Sequence, residues 1–244
     1  MGQTRRFHFH AGQPKVSIIS KMIKIATVEK MVLFSGPQGI YTVDIKGLAP
    51  GSTAINGNLS DNTNATLKVT VKAVPENLAL PMLATEAGML ARLLLAEAIS
   101  PSYQAWSAVD VKIGMEWMRL VISNRLKWPT QFGAKKGSKK LEEIVRAQGQ
   151  FKGFENYPPP SKEIEANIAR IVATANDLSA PLKDNFYLHV KNAITVASAD
   201  GSITDPTTNS LIGWRTAGSG SPGPNFELYM TKLGIDFYQW KKKP

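Results

Sequence analysis

The sequence contains no cysteine and only three histidines among its 244 residues. The absence of cysteine excludes a disulfide framework, a cysteine nucleophile and metal sites built on thiolates. The histidines, His8, His10 and His189, are too scattered to indicate a zinc site. Phosphate-binding, dinucleotide-binding and serine-hydrolase motifs are also absent from the sequence. We therefore expect neither a metal centre nor a cofactor.

Long hydrophobic runs are missing as well. No apolar stretch has the length that a bilayer span requires. The first fifteen residues, MGQTRRFHFHAGQPK, have basic residues without the apolar segment of a secretory signal. We expect no membrane span and no standard export signal. Action at the cell wall or in the periplasm would then require export or release from the cytoplasm by a non-standard route.

Negative charge is scarce, and the net charge is +10. Such a charge attracts polyanions, including nucleic acid, anionic lipid and the anionic polymers of cell envelopes. Part of it is concentrated in the segment KKGSKK at 135–140 and in the terminal KKKP. We do not expect a nucleic-acid partner, because no nucleic-acid-binding motif and no interleaved aromatics accompany the lysines.

The hydrophobic period changes along the chain. Up to about residue 75, runs rich in Val, Ile and Thr, such as GIYTVDIKGL and ATLKVTVKAV, are typical of strands. Beyond that point the apolar spacing is helical. Helices are predicted near 83–99, 109–127, 139–148, 161–177, 184–198 and 226–240. The segment 199–225 is predicted to be a long loop, with a short hairpin as the alternative. We predict two domains, 1–77 and 82–244.

The segment VDIKGLAPGSTAINGNLSDNTNATLKVTV resembles the closing strands of bacterial immunoglobulin-like domains. That resemblance implies an N-terminal all-β sandwich. Such domains mostly act as spacers or adhesive modules, so the likeness says little about activity.

An acidic residue lies inside the apolar run GMLARLLLAEAIS at 88–100. At about 100° per helical residue, Glu97 falls about 20° from Leu90 and about 40° from Leu93. The acid therefore shares the apolar face of the predicted helix. One interpretation is structural, as the partner of an arginine or a cap for another helix. The other is a general acid, since apolar surroundings raise a carboxyl pKa.

Four stretches in the second half resemble the SleB-type cell wall hydrolases, the spore-cortex-lytic group. They are MLARLLLAEAISPS, LVISNRLKWP, LEEIVRAQGQFKGF and ITDPTTNSLIGWR, and they occur in the order of that family. The resemblance implies a C-terminal, mainly α, lysozyme-like domain that cleaves peptidoglycan between N-acetylmuramic acid and N-acetylglucosamine. The expected architecture is thus an immunoglobulin-like sandwich followed by a lysozyme-like domain.

The same resemblance implies roles for individual residues. Glu97 matches the catalytic acid, and Gln150 with Phe151 matches an element that lines the sugar cleft. Trp214 and Tyr157 are candidate sugar platforms, as is Trp106. Asn124 and Arg125 are expected to hold the fold together. If Arg125 instead pairs with Glu97, the acid stays ionised and the catalytic interpretation weakens.

The sequence does not decide whether the reaction is hydrolysis or transglycosylation. A lytic transglycosylase needs one carboxyl, which acts first as acid and then as base, whereas an inverting muramidase needs a second carboxylate. Candidates for the second group are Asp110, Glu116, Glu155 and Asp205. The sequence also departs from the family, because AEAISPS lacks its second acid and an insertion follows.

The expected biological setting is a phage lysin or tail enzyme, or a secreted antibacterial toxin with a cognate immunity protein. The alternative is a non-catalytic protein that binds the cell wall or a spike or tail component. A peptidase or amidase has little support, since the chain offers no Cys–His pair or zinc cluster.

Overall fold

The computed structural model describes residues 3–10, 16–34, 40–59, 64–71, 76–199, 203–208 and 210–244. The chain divides into two compact units, Met1–Glu76 and Asn77–Pro244. We refer to these as the first and the second unit. Among the helices of the described ranges, none combines the length and apolar character needed to cross a membrane.

The described strands of the first unit form two three-stranded antiparallel sheets, with orders β1-β4-β3 and β2-β5-β6. The strands described in this unit are β1 (Thr4–His10), β2 (Val16–Ser20), β3 (Ala26–Phe34), β4 (Ile40–Gly47), β5 (Gly51–Leu59) and β6 (Asn64–Val71). Alternating apolar residues of β4, such as Val43 and Ile45, face the buried side of the sheet. The buried cluster consists of Ile18, Ala26, Val43, Ile45 and Ile55.

The second unit combines helices with a third sheet. Its helices are α1 (Glu86–Glu97), α2 (Ala108–Arg125), α3 (Leu141–Val145), α4 (Lys162–Asn176) and α5 (Lys183–Ala197), with a 3₁₀ turn at Pro129–Phe132. Helices α1, α2 and α4 all pack against α5, and α2 also packs against the third sheet. The core contains Leu90, Leu93 and Leu94 of α1 together with Met115 and Met118 of α2.

The third sheet has the order β7-β9-β8 and contains β7 (Leu211–Thr216), β8 (Phe226–Lys232) and β9 (Ile235–Trp240). These strands occupy the region predicted as a loop at 199–225 and a helix at 226–240, so the helix prediction is wrong. Leu233 and Gly234 have positive φ values of 47° and 74°, and they reverse the chain between β8 and β9. Two consecutive positive φ angles are typical of the tight turns that connect antiparallel strands.

The predicted fold class, an all-β immunoglobulin-like sandwich followed by a mainly α lysozyme-like domain, is wrong. Within the described residues the chain has nine strands in three small antiparallel sheets and five helices, which is a mixed α/β fold. The prediction missed the sheet of the second unit because the apolar residues of 226–240 were assigned a helical period. In the structure these residues pair as the antiparallel strands β8 and β9.

Candidate active site

Helix α1 places Glu97 at its C-terminal end. The helix begins at a cap, where the Thr85 hydroxyl accepts a hydrogen bond from the backbone N–H of Gly88 at 3.0 Å. Leu90, Leu93 and Leu94 are completely or almost completely buried, as the helical spacing predicts. Glu97, one turn beyond Leu93, is half-buried where the apolar stripe ends.

The Glu97 carboxylate lies against β7. Its Oε2 accepts a hydrogen bond from the indole N–H of Trp214 at 3.2 Å, although the two residues are 117 positions apart in the chain. A cavity of about 370 Å³ opens at this pair. The lining consists of Glu97, Trp214, Arg215, Thr216, Ser219 and Ile235. We call this the Glu97 cavity.

Burial raises the pKa of the Glu97 carboxyl above its ordinary value. The hydrogen bond from Trp214 and the charge of Arg125 both act in the opposite direction, and burial outweighs them. The position at the carbonyl end of α1 also disfavours a negative charge. The site therefore shifts the equilibrium towards the protonated acid, while two groups, the Trp214 N–H and the Arg125 charge, stabilise the carboxylate.

Arg125, the last residue of α2, connects the elements around the site. Its Nε donates to the carbonyl of Ile212 at 2.9 Å, and its Nη1 donates to Oε1 of Gln150 at 2.8 Å. The guanidinium carbon also lies 5.4 Å from the ring centre of Phe151 and 5.8 Å from that of Trp214. Burial lowers the pKa of Arg125 to about 10, so it remains a cation at neutral pH. These contacts confirm its predicted structural role, and its charge acts on Glu97 without reversing the raised pKa.

Gln150 and Phe151 support the site from behind the cavity. Phe151 is buried, and its ring centre lies 5.4 Å from that of Trp214 at an interplanar angle of 32°. The side-chain oxygen of Gln150 accepts a hydrogen bond from Arg125. Neither residue is part of the lining of the Glu97 cavity. The structure thus brings both to the site as supports of Arg125 and Trp214, whereas direct contact with a sugar stays a prediction.

Two other aromatic candidates lie elsewhere. Tyr157 is buried, its ring stacks on Phe154, and its hydroxyl donates to the carbonyl of Leu83. A buried ring presents no face to a sugar, so this placement assigns Tyr157 to packing instead of to substrate binding. Trp106 is half-buried and packs near His189, with 6.5 Å between ring centroids.

Asn124 and Asp205 form a structural network beside the site. The Asn124 amide donates to Asp205 at 2.9 Å and to the carbonyl of Leu211 at 2.8 Å. Asp205 also accepts hydrogen bonds from the hydroxyl and the backbone N–H of Thr207. This network anchors the start of β7, which carries Trp214, and it confirms that Asn124 stabilises the fold.

The remaining candidates for a second carboxylate are each engaged by a neighbour. Asp110 pairs with Lys232 at 2.7 Å, Glu116 pairs with Lys112 at 2.8 Å, and Glu155 accepts from the backbone N–H of Gly153 at 2.7 Å. In the described part of the chain, Glu97 is the single carboxylate among the residues that line its cavity.

Sequence reasoning missed the strand residues of the cavity. Arg215, Thr216 and Ser219 follow Trp214 on β7 and its turn, and Ile235 begins β9. The available signal was the composition of IDFYQW, since β-branched and aromatic residues are typical of strands. Over the ranges that the structure describes, no group of three acidic or histidine side chains is arranged to hold a metal ion.

Comparison of this chain with protein-family models, with curated proteins and with solved structures found no match.

Proposed function

We propose that this protein cleaves the glycan strand of peptidoglycan, with Glu97 as the catalytic acid and then the base. The observation that carries the proposal is a carboxyl with a raised pKa that borders an open cavity and accepts a hydrogen bond from Trp214. Raised carboxyl pKa values of this kind are a property of glycosidase acids.

Each step of the proposed reaction has a group to perform it. Protonated Glu97 donates its proton to the glycosidic oxygen, and the bond between that oxygen and C1 of the muramoyl unit breaks. The departing sugar leaves with a free hydroxyl. The Glu97 carboxylate, stabilised by the Trp214 N–H and the Arg125 charge, then removes the proton of the muramoyl C6 hydroxyl. That oxygen bonds to C1, a 1,6-anhydro ring forms, and Glu97 is protonated again.

The lining of the cavity favours this single-carboxylate route over inverting hydrolysis. An inverting enzyme requires a second carboxylate about 6.5–9.5 Å from the acid to activate water. The described lining offers Arg215, Thr216 and Ser219 instead, which are suited to bind sugar hydroxyl and N-acetyl groups. The likeness of four sequence stretches to the SleB-type hydrolases supports peptidoglycan as the glycan.

The charge of the molecule also supports an envelope substrate. With a net charge of +10, the protein is attracted to the anionic polymers that accompany peptidoglycan. We include in the proposal an antibacterial or lytic role at the cell wall.

The test is mass spectrometry of purified peptidoglycan after digestion with the wild type, Glu97→Gln and Glu86→Gln. Glu86 lies in the exposed first turn of the same helix, so its variant is a matched control. We expect anhydro-muramic products from the wild type and from the control. Glu97→Gln should lower the rate by roughly two orders of magnitude or more, which is typical of losing acid–base catalysis.

Two results would contradict the proposal in different ways. Products with reducing muramic ends would show that water, and not the C6 hydroxyl, bonds to C1, so that the reaction is hydrolysis and not transglycosylation. Binding of the wild type to peptidoglycan without any product would indicate the non-catalytic wall-binding protein instead.

A further inference from the structure

A second cavity lies in the second unit, between the end of α1 and the facing sides of α4 and α5. Its volume is about 250 Å³, and it shares no lining residue with the Glu97 cavity. Its apolar part includes Leu95, Ile171 and Phe186. Its polar lining consists of Ser100, Ser102, Asn167, Arg170, Thr174 and His189. We call this the His189 cavity.

His189 is the unusual member of this lining. It has 0% exposure in the middle of α5, and neither ring nitrogen has a hydrogen-bond partner among the described residues. Burial lowers the pKa of His189 to about 4, so the ring is neutral at neutral pH with one N–H donor and one acceptor nitrogen. Buried polar groups are nearly always hydrogen-bonded, and an unpaired one destabilises the fold.

A second unpaired polar group lies beside it. The indole nitrogen of Trp106 is buried without a partner in the described part of the chain, and the Trp106 ring centre is 6.5 Å from that of His189. Trp106 is not part of the lining, so its unpaired N–H lies next to the His189 cavity and not in it.

The charge of the lining indicates which kind of molecule would complete it. The described lining contains one arginine, Arg170, and no aspartate or glutamate, and no described carboxylate forms an ion pair with Arg170. Its Nη2 donates to Asn167 at 2.7 Å, which orients the guanidinium and leaves further N–H groups for a ligand. A guanidinium with free N–H groups binds carboxylates through paired hydrogen bonds.

We propose that the His189 cavity binds a small organic carboxylate. Arg170 and the hydroxyls of Ser100 and Ser102 would hold the carboxylate, and the ligand would lie against the His189 ring that lines the cavity. Leu95, Ile171 and Phe186 would cover its apolar part. The cavity is below the roughly 300–1,000 Å³ typical of drug-sized ligands, so it suits a molecule of amino-acid or dipeptide size.

This proposal does not depend on glycan cleavage, and the ligand has two possible sources. One is the C-terminal carboxylate of a short peptide, and the other is a free organic acid. The probes acetyl-D-alanyl-D-alanine and 3-phenylpropionate represent the two sources. The amide of each probe, which lacks the carboxylate, is the matched control, and inorganic phosphate tests for general anion binding.

The experiment is NMR of the full chain with ¹³C-labelled histidine, because three histidines give a simple spectrum. The variants His8→Gln and His10→Gln assign two of the ring signals, so the third is His189 without any change in the core. We expect a saturable shift of the His189 signal with at least one carboxylate probe and none with its amide. The probe that binds more tightly identifies the source.

A second variant tests the role of Arg170. Arg170 is exposed, so Arg170→Gln is expected to fold, and it should weaken binding of the probe about tenfold or more through loss of a charge-assisted hydrogen bond. Arg146→Gln, at an exposed arginine that pairs with Glu142, is the control and should bind as the wild type does.

Three outcomes would overturn the proposal. An unchanged His189 signal with both probes at millimolar concentration would mean that water alone fills the cavity. Equal shifts with the acid and its amide would exclude carboxylate recognition. An equal response to phosphate would indicate a general anion site.

Discussion

At the scale of single residues, the protonation of Glu97 is set by opposing influences. Burial favours the neutral acid, whereas the Trp214 hydrogen bond and the Arg125 charge favour the carboxylate. A catalytic acid that donates a proton and later accepts one uses both protonation states. Burial stabilises the neutral acid, and the hydrogen bond and the charge stabilise the carboxylate. The balance has consequences for stability and for the pH profile.

Replacing the acid should stabilise the protein at neutral pH. A carboxyl whose pKa is raised on folding binds its proton more tightly in the folded state than in the unfolded state. Stability is therefore lost as the pH rises from the unfolded value, about 4.3, through the raised folded value. Glu97→Gln stays neutral and keeps an oxygen that accepts from Trp214. We expect its melting temperature to exceed that of the wild type by an amount that grows with pH.

Thermal unfolding of the wild type and of Glu97→Gln, from about pH 4.3 upward, measures the difference between their melting temperatures. For Glu86→Gln, which alters an exposed acid, the difference in melting temperature from the wild type should not increase with pH in this way. A Glu97→Gln difference that is constant or shrinks with rising pH would contradict the raised pKa.

Removal of the indole donor should move the pH profile. Trp214→Phe keeps an aromatic ring beside Phe151 and Arg125 but removes the hydrogen bond that favours ionised Glu97. The pKa of Glu97 should rise further, so the alkaline limb of kcat/KM should shift to higher pH. Kinetic profiles on soluble glycan fragments measure this shift. The control is Trp128→Phe, at a ring that packs on Trp240, which should leave the alkaline limb of kcat/KM unchanged. A shift of that limb to lower pH in Trp214→Phe would contradict the role of the indole N–H in favouring ionised Glu97.

At the scale of elements, the local signals for the helices agree well with the structure. Helix α4 was predicted at 161–177 and spans Lys162–Asn176, with the Ser161 hydroxyl accepting from the N–H of Ile164. The third sheet was not predicted as such, because β8 and β9 are rich in apolar side chains that a helix also accommodates, and β7 lies in the predicted loop. Pairing with β9 decides the conformation of β7 and β8.

The start of α1 depends on a glycine. A Cβ added at Gly88 would lie 1.9 Å from the carbonyl oxygen of Met82, so the chain before the helix approaches it too closely for any side chain. We expect Gly88→Ala to lower the free energy of unfolding by about 2 kcal/mol or more. It should also reduce cleavage, because α1 carries Glu97.

Denaturant unfolding checks this expectation, with Gly114→Ala in α2 as the matched control. A Cβ at Gly114 meets nothing within 4 Å, so that variant should be stabilised by about 0.5–1 kcal/mol through a better helix propensity. Equal changes in the free energy of unfolding for Gly88→Ala and Gly114→Ala would contradict the close approach of the Met82 carbonyl as the reason for glycine at position 88.

At the scale of the whole molecule, the site belongs to one compact unit. All residues that line the Glu97 cavity lie in the second unit, Asn77–Pro244, which also has its own large buried core. A unit with a continuous core of its own is expected to fold independently.

The segment 77–244 alone should therefore fold and cleave soluble glycan fragments at the rate of the full chain. Circular dichroism with thermal unfolding, followed by the product assay, tests this. A segment that folds but has lost most of its cleavage would show that the first unit contributes to the reaction.

The sequence by itself determined the positions of five helices and of most strands of the first unit, since hydrophobic periodicity and capping are local properties. It also determined that Glu97 faces inward, because helical geometry places it on the side of Leu90 and Leu93. Only the tertiary structure decided which side chains surround the Glu97 carboxyl. Trp214 and Arg125 reach it from other elements, and burial, a hydrogen bond and a nearby charge act on its pKa through space. Those distances depend on how α1, α2 and β7 pack, which local periodicity does not specify.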